Sequence, residues 1–221
     1  SLTSLSTTDH SHISSILSRL NDRFEGTGVR LSIPSQRLDS FGVSMAGLVA
    51  GQKRGGLTFA PEAGTQRLRD VINKNVTEQD LMSAVDAALE AGWQRVKLYF
   101  MVGLPTETGE DVRQIGRLAG GAFARMREAT APSDRGRLKM TVAVAVFVPK
   151  AHTPFQWEGQ IGPEEARRRV QLIKEAVRFK AVRVDYHEPK TSFLEAVMSR
   201  GGREVALLVE EAWKAGARFD A

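Results

Sequence analysis

The sequence predicts an α/β fold, a partial (βα) TIM-like barrel of about six parallel strands with helices outside. Apolar runs of strand length alternate with amphipathic runs of helical length, and glycine and polar residues follow directly after several strands. Ligands of parallel α/β folds bind at the carboxyl ends of the strands, so we expect function at that edge. No GxGxxG sequence follows a strand, so a dinucleotide-binding doubly wound sheet is not supported.

The predicted elements follow from hydrophobic periodicity and from residues that start and stop helices. Strands are predicted over 2–5, 29–33, 57–60, 96–102, 140–148 and 182–186. Helices are predicted over 13–24, 38–50, 68–72, 77–91, 107–130, 163–179, 192–199 and 203–215. Thr65 and Thr77 are predicted N-caps, and Pro163 suits the first turn of a helix. The apolar run 96–102 predicts a strand that is buried on both faces.

Length alone allows one large domain or two small ones, and we expect a single globular domain over residues 1–221. The 221 residues are 42% apolar and 26% charged, which is ordinary for a chain with a full core. We find no apolar run of about 18 to 20 residues and no basic-then-apolar leader. We therefore expect no contact with membranes and a cytoplasmic location.

The charge balance leaves RNA as an optional partner. The net charge is +5 and the pI about 9.7, but basic residues are interleaved with acids, as in residues 164–169. That pattern is more typical of a solvated helix face than of a binding patch. The charge therefore leaves contact with RNA as one option and does not identify a substrate.

The chain contains no cysteine. It therefore holds no disulfide, no zinc–thiolate site, no cysteine nucleophile and no thiolate-bound iron–sulfur cluster. The first residue is Ser1, and residues 2–5 read as a strand already under way. We expect the chain to be a piece of a longer protein.

Several polar residues near strand ends are candidates for chemistry, each with a plainer structural interpretation. Residues 103–108 read Gly-Leu-Pro-Thr-Glu-Thr, and a turn with a helix cap explains them alone. Glu62 is a candidate carboxylate, and Lys97 lies within an apolar strand, where it needs a partner. His152 and His187 follow strands and are candidates for proton transfer. Four histidines without metal-ligand spacing predict no metal site in this chain.

Together these loops resemble the radical S-adenosylmethionine (SAM) superfamily. Residues 96–108 are similar to its fifth core strand, whose pattern ends in Gly-Leu-Pro-x-Glu-Thr. Residues 57–74 are similar to its fourth strand and helix, with Glu62 at the polar position and Lys74 at the basic one. Four stretches are similar to a group of uncharacterised radical SAM proteins that have a cobalamin domain: 58–65, 147–157, 192–197 and 216–220.

The resemblance implies positions for SAM along the carboxyl edge. It assigns the methionine amino group to Ser6, Thr7, Thr8 and Asp9, and the ribose edge to Ser35. It places Glu62 and Lys74 at the ribose or methionine end, with the lysine pairing with the carboxylate. It also implies that the adenine passes along Tyr99, Met101 and Gly103 and is closed on its other face by Phe147, Val148 and Pro149.

The resemblance implies an enzyme that cleaves SAM to a 5′-deoxyadenosyl radical beside a [4Fe–4S] cluster and then modifies an unknown substrate. The superfamily binds that cluster through a Cys-x-x-x-Cys-x-x-Cys loop, which this chain lacks. We therefore expect the first strand and the cluster loop upstream, and a chain that is inactive alone. Similarity to cobalamin-linked members adds cobalamin as an optional cofactor of the longer protein.

Two other interpretations stay open at the level of sequence. One is a cluster-independent barrel enzyme that uses an acid–base pair such as Glu62 with Lys97 or His152. The other is a non-catalytic barrel that binds a nucleotide or RNA. The first predicts activity without a cluster and a closed eight-stranded barrel, and the second predicts that the longer protein also lacks the cysteines.

Overall fold

The computed structural model describes residues 10–29 and 56–217. In these ranges four strands form one parallel sheet in the order β1-β2-β3-β4. The strands are β1 (Leu57–Glu62), β2 (Arg95–Val102), β3 (Lys139–Val146) and β4 (Val182–Tyr186). The helices are α1 (Ile13–Phe24), α2 (Gln66–Val71), α3 (Glu78–Glu90), α4 (Gly109–Ala129), α5 (Pro163–Ala176), α6 (Pro189–Arg200) and α7 (Val205–Lys214), with a 3₁₀ turn at Arg135–Arg137.

The predicted α/β class with a parallel sheet is confirmed. Each pair of neighbouring strands is joined through at least one helix, the connection that parallel pairing requires. Four of the six predicted strands are present. The predicted strand over 2–5 and the helix over 38–50 lie outside the described residues, as does the strand over 29–33 except for Val29.

The main core lies between the sheet and its covering helices. Phe59, Leu98 and Phe100 of the strands are buried, and Ile115 and Phe123 of α4 belong to the same apolar cluster. Complete burial of side chains of this size stabilises the fold by about 1.5–3 kcal/mol each. The longest helix, α4, begins with a capping box in which Thr108 accepts from the Asp111 N–H and Asp111 accepts from the Thr108 N–H.

The expectation that β2 is buried on both faces is wrong. Its even-numbered residues from Val96 to Val102 are buried, whereas the odd-numbered residues from Arg95 to Met101 are partly or largely exposed. Successive side chains of a strand point to opposite faces, so one face of β2 packs on the helices and the other does not. We call this second face, which corresponds to the interior of a barrel, the inner face.

Strand β1 extends further than the sequence predicts. It runs through Pro61 to Glu62, and its pairing with β2 changes register between Phe59 and Glu62. Glu62 has φ of +69°, a left-handed conformation that a side chain other than glycine rarely adopts. The irregularity therefore brings Glu62 opposite Phe100, while buried and partly exposed residues still alternate to the end of β1.

Some boundaries also shift. Helix α6 begins at Pro189, earlier than predicted, and β3 ends at Val146. Thr65 and Thr77 cap α2 and α3 as predicted. Within residues 10–29 and 56–217, no helix is both long and apolar enough to cross a bilayer.

Candidate functional site

Glu62 and Lys74 meet at the end of β1. The Lys74 Nζ lies 3.4 Å from the Glu62 Oε1, and both side chains are only partly exposed. Burial raises the pKa of Glu62, and the charge and hydrogen bond of Lys74 oppose that rise. The structure therefore brings together two residues that the resemblance assigns to one end of SAM.

Helix α2 positions Lys74 through a buried arginine. Arg69 is 2% exposed, and its guanidinium donates to the carbonyl of Ala63 at 2.9 Å and to Gln66 Oε1 at 3.1 Å. The Lys74 N–H in turn donates to the Arg69 carbonyl at 2.8 Å. Burial lowers the pKa of Arg69. The loop after β1 is thus tied to the turn that carries Lys74.

The turn after β2 is closed by Glu107. The Gly103 N–H donates to Glu107 Oε2 at 2.8 Å, and Arg169 of α5 contacts the same carboxylate oxygen. Gly103 has φ of +85°, and a Cβ at this position would lie 2.8 Å from Ile161. Burial raises the pKa of Glu107, opposed by the Gly103 N–H and by Arg169. The Gly-Leu-Pro-x-Glu-Thr pattern therefore forms a turn that is closed by the hydrogen bond between its glycine and its glutamate.

Asp111 ties the loops after β1 and β2 together. It accepts hydrogen bonds from Thr65 Oγ1 at 2.5 Å, Thr108 Oγ1 at 2.7 Å and Arg67 Nη2 at 2.5 Å. Arg67 also donates to Thr106, which follows β2. Burial alone would raise the pKa of Asp111, but these hydrogen bonds outweigh it and lower that pKa to about 2. The charged network fixes the relative position of the two loops.

Tyr99 and Met101, which are assigned to adenine, lie on the inner face. Tyr99 pairs in register with Ala143, and Met101 pairs with Ala145. Cross-strand neighbours on one face lie about 5 Å apart, and Ala143 beside Tyr99 is 7% exposed, so it is covered, whereas Ala145 beside Met101 is partly exposed. Tyr99 is 37% exposed, and the Lys97 Nζ lies 4.8 Å from the centre of its ring. Tyr99 and Met101 thus line an open part of the sheet.

A small apolar cluster joins the carboxyl ends of three strands. Met101 and Phe147 both pack against buried residues of the loops after β1 and β2, namely Ala63, Leu68 and Leu104. The Phe147 ring contacts Phe155 edge-on at 5.9 Å between centroids. Val148 is partly buried and Pro149 is buried. Met101 and Phe147, predicted to face adenine from two strands, therefore pack against the same cluster.

The remaining predicted site residues divide into two groups. Ser6, Thr7, Thr8, Asp9 and Ser35 lie outside the described residues. His152 and His187 are exposed, and each donates its backbone N–H, the first to Gln156 Oε1 and the second to the Val144 carbonyl. In residues 10–29 and 56–217, no three His, Asp or Glu side chains come together in a way that could hold a metal ion.

Backbone strain gathers at this edge of the sheet. Four residues other than glycine have positive φ in the described ranges: Glu62, Asn73, Thr106 and His152. Glu62 is the last residue of β1, Thr106 and His152 follow the ends of β2 and β3, and Asn73 directly precedes Lys74. Strain of this kind costs about 1–3 kcal/mol for each residue and clusters at functional sites.

Sequence reasoning missed residues that hold the loops in place. Asp111 was recognisable, since Thr108-x-x-Asp111 matches a capping box. Arg169 was not, because it reaches Glu107 from another helix, 62 residues away. Ala143 and Ala145 read only as strand residues, and their positions beside Tyr99 and Met101 depend on the register.

The donor groups of this edge suit SAM and do not suit the cluster. Lys74 suits the carboxylate of SAM, and the partly buried Glu62 suits its hydroxyl and ammonium groups. The patch of aromatic and thioether side chains suits the adenine. A [4Fe–4S] cluster needs thiolate ligands, and the 221 residues contain none.

Comparisons with known proteins found a family and a relative to which this sequence is similar. The model of the Radical SAM superfamily matches residues 1–119, more than half of the 221 residues. An uncharacterised protein of Methanocaldococcus jannaschii is 30% identical over 198 residues, which are 90% of this chain. The chain spans 40% of the length of that relative. The family match over more than half of the chain places the chain in the radical SAM superfamily.

Proposed function

We propose that this chain forms the SAM-binding face of a radical SAM enzyme and that the thiolate ligands of a [4Fe–4S] cluster lie outside these 221 residues. Together, cluster and SAM supply reductive cleavage of SAM in this superfamily. The residues of this chain bind and orient SAM. The proposal treats residues 1–221 as a single domain, the later part of the barrel.

The observation that carries the proposal is that an ion pair and an apolar cluster lie together at the carboxyl edge of the sheet. The Glu62–Lys74 pair lies at the end of β1, and the apolar cluster that includes Met101 and Phe147 joins the same loop through Ala63. SAM has a charged methionine end and an apolar, planar adenine end. The ion pair suits the first end and the apolar cluster with Tyr99 suits the second.

Each side chain then has a defined task. Lys74 exchanges its bond to Glu62 for one to the methionine carboxylate, and Glu62 accepts from the ribose hydroxyls. The Gly103 turn presents backbone groups to adenine, while Phe147, Val148 and Pro149 cover its other face. Thr7, Thr8, Asp9 and Ser35 take the methionine amino group and the ribose edge by resemblance to the superfamily.

The activity, substrate and partners of a longer protein that contains this chain are part of the proposal. An RNA or ribosome-associated substrate agrees with the pI of about 9.7. Cobalamin rests on resemblance alone. The acid–base alternative gains no support, because Glu62 pairs with Lys74 and Lys97 lies over the ring of Tyr99.

The first test is calorimetric titration of the 221-residue chain with SAM. Lys74→Ala should weaken SAM binding by roughly 10- to 100-fold, since a hydrogen bond to a charged group contributes about 1.5–3 kcal/mol. Lys180→Ala, which removes an exposed lysine before β4, is the matched control and should bind like the original. Equal affinity of the Lys74→Ala variant and the control would remove Lys74 from the site.

The second test concerns the cluster. Anaerobic reconstitution with iron and sulfide should give no [4Fe–4S] absorption on this chain, whereas a longer polypeptide that supplies a Cys-x-x-x-Cys-x-x-Cys loop should acquire the cluster and yield 5′-deoxyadenosine. A longer polypeptide that takes up no iron and cleaves no SAM would leave only the scaffold in common with the superfamily.

A further inference from the structure

Four basic side chains share the inner face of the sheet near its amino end. They are Arg95 and Lys97 of β2, Lys139 of β3 and Arg183 of β4, and we call them the basic row. Arg95 pairs in register with Lys139, and Lys97 pairs with Thr141, which pairs with Arg183. Residues paired in register project to the same face of a sheet. The basic row therefore crosses three neighbouring strands.

Most of the basic row has no acidic partner. Arg183 pairs with Asp185, at 2.5 Å between Nε and Oδ1. In the described part of the chain, Arg95, Lys97 and Lys139 take part in no ion pair, and Lys97 contacts the Tyr99 ring instead. Arginines of the covering helices differ: Arg125, Arg117 and Arg168 each pair with a nearby carboxylate.

The pairing of Arg95 with Lys139 is unfavourable by itself. Like charges directly opposite each other on neighbouring strands destabilise a sheet. An exposed basic side chain usually needs no explanation beyond its contact with water. Here, however, three cations without acidic partners occupy one face of two strands, and that face leads to the proposed SAM site.

The distances fit a substrate that extends from the basic row to SAM. Side chains on one face of a strand recur every two residues, or about 6.6 Å. Lys97 therefore lies about 7 Å, and Arg95 about 13 Å, from the level of Tyr99 along β2. An anionic group at the basic row would place a part of the same molecule beside Tyr99 and Met101.

We propose that the basic row binds a phosphate-bearing part of the substrate and directs the remainder toward SAM. Several cations within two or three strand spacings suit a multiply charged phosphate better than a single carboxylate. The phosphate belongs either to a small phosphate ester or to the backbone of RNA. This inference rests on the proposed function, because it takes the SAM site to lie at Tyr99 and Met101.

The test compares two double variants that remove the same charge. Arg95→Gln with Lys139→Gln removes half of the basic row and leaves the Lys97–Tyr99 contact in place. Arg178→Gln with Lys180→Gln removes two exposed basic residues from the turn before β4 and is the control. The probe is a fluorescein-labelled single-stranded RNA of 12 nucleotides, with binding followed by fluorescence anisotropy over a series of salt concentrations.

The basic-row variant should bind the RNA at least tenfold more weakly at low salt. The slope of log affinity against log salt should fall by about 1.4, since each contact to single-stranded phosphate contributes about 0.7. The control should keep the original slope and affinity. The basic-row variant should also unfold at the same or a higher temperature, because it removes a like-charge pair.

Competition with inorganic pyrophosphate distinguishes the two sources of phosphate. Displacement of the RNA by pyrophosphate from the original chain, but little further effect on the basic-row variant, points to a site for small phosphate esters. Displacement by unlabelled RNA only points to the RNA backbone. Equal weakening in both double variants, or no binding of either probe to the original chain, would overturn the proposal.

Titration with SAM separates this inference from the proposed function. The basic-row variant should bind SAM like the original chain, because Arg95 and Lys139 lie away from Tyr99 and Met101. A chain that binds phosphate through the basic row but does not bind SAM would overturn the proposed function, and with it the direction of the substrate toward SAM, while the phosphate site itself would stand. A chain that binds SAM but has no basic-row effect on either phosphate probe would overturn this inference alone.

Discussion

The backbone N–H of Gly103 donates to the carboxylate of Glu107 at 2.8 Å. The side chain of Glu107 is 1% exposed, and Arg169 contacts the same carboxylate from α5. A buried carboxylate is stable only when such donors replace its lost water. The strand-end turn, the start of α4 and the middle of α5 are therefore held by one charged group.

Removal of that carboxylate should destabilise the fold strongly. We expect Glu107→Ala to lower the free energy of unfolding by about 2 kcal/mol, because it leaves the buried Gly103 N–H without this acceptor and removes one of the two carboxylates that Arg169 contacts. Urea unfolding measures the change. Glu110→Ala removes an exposed carboxylate that contacts Arg117 and should cost less than about 1 kcal/mol. Similar losses in both variants would show that Glu107 acts as a surface charge.

Two glycine substitutions should have opposite signs. Gly103→Ala should destabilise by about 2 kcal/mol, since φ is +85° and the new Cβ would lie 2.8 Å from Ile161. Gly120→Ala lies within α4 with nothing within 4 Å of the new Cβ, and alanine favours a helix by about 0.5–1 kcal/mol. Thermal and urea unfolding of both variants check the signs. A stabilising Gly103→Ala would mean that the turn relaxes freely.

The sequence predicted the elements whose patterns are local. Four strands and their helices follow from apolar periodicity, and the caps at Thr65 and Thr77 follow from threonines that precede helical runs. The resemblance also identified Glu62 and Lys74, which the structure pairs. These features depend on residues that lie close together in the chain, so a single sequence carries them.

Other features depend on residues that are distant in the chain. The apolar run of β2 resembles a strand buried on both faces, but Tyr99 and Met101 face the open side of the sheet. No local sequence pattern predicts the positive φ of Glu62, which occurs where β1 changes register against β2. Arg169 likewise reaches its partner through tertiary packing. Such features become predictable only once strand register and helix placement are known.

Asp111 should make the chain sensitive to acid. Hydrogen bonds hold its folded-state pKa at about 2, against an ordinary 3.8. A depressed pKa stabilises the folded state above the ordinary value, and this stabilisation is lost as the pH falls from about 3.8 toward about 2. Asp111→Asn should therefore lose about 2 kcal/mol at pH 7, since one pKa unit is about 1.4 kcal/mol.

Urea unfolding at a series of pH values measures that loss. The difference between the original chain and Asp111→Asn should be constant above about pH 4 and shrink below it. Asp86→Asn, which weakens the surface pair with Arg125, should cost less than about 1 kcal/mol. A difference for Asp111→Asn that stays constant down to pH 2 would exclude the charge of Asp111 as its source.

We expect the ionised side chain of Glu62 to lower the stability of the fold and to strengthen SAM binding. Burial raises its pKa, so the ionised carboxylate at neutral pH is less favourable in the folded chain than in the unfolded chain. This cost is present above the raised pKa and disappears below the ordinary value of 4.5, where both states are protonated. Glu62→Gln should therefore be at least as stable as the original chain at pH 7, with the difference vanishing below about pH 4.5, and should bind SAM more weakly.

The backbone of Glu62 adds a second component. Its φ of +69° costs a side chain about 1–2 kcal/mol, whereas glycine adopts it readily. Glu62→Gly should therefore be more stable than Glu62→Ala by about 1 kcal/mol, while both lose the same contact with Lys74. Urea unfolding and titration with SAM on the two variants separate backbone from side chain. Equal stability of the alanine and glycine variants would mean that the left-handed conformation is not strained, and equal SAM affinity of both variants and the original chain would remove Glu62 from the site.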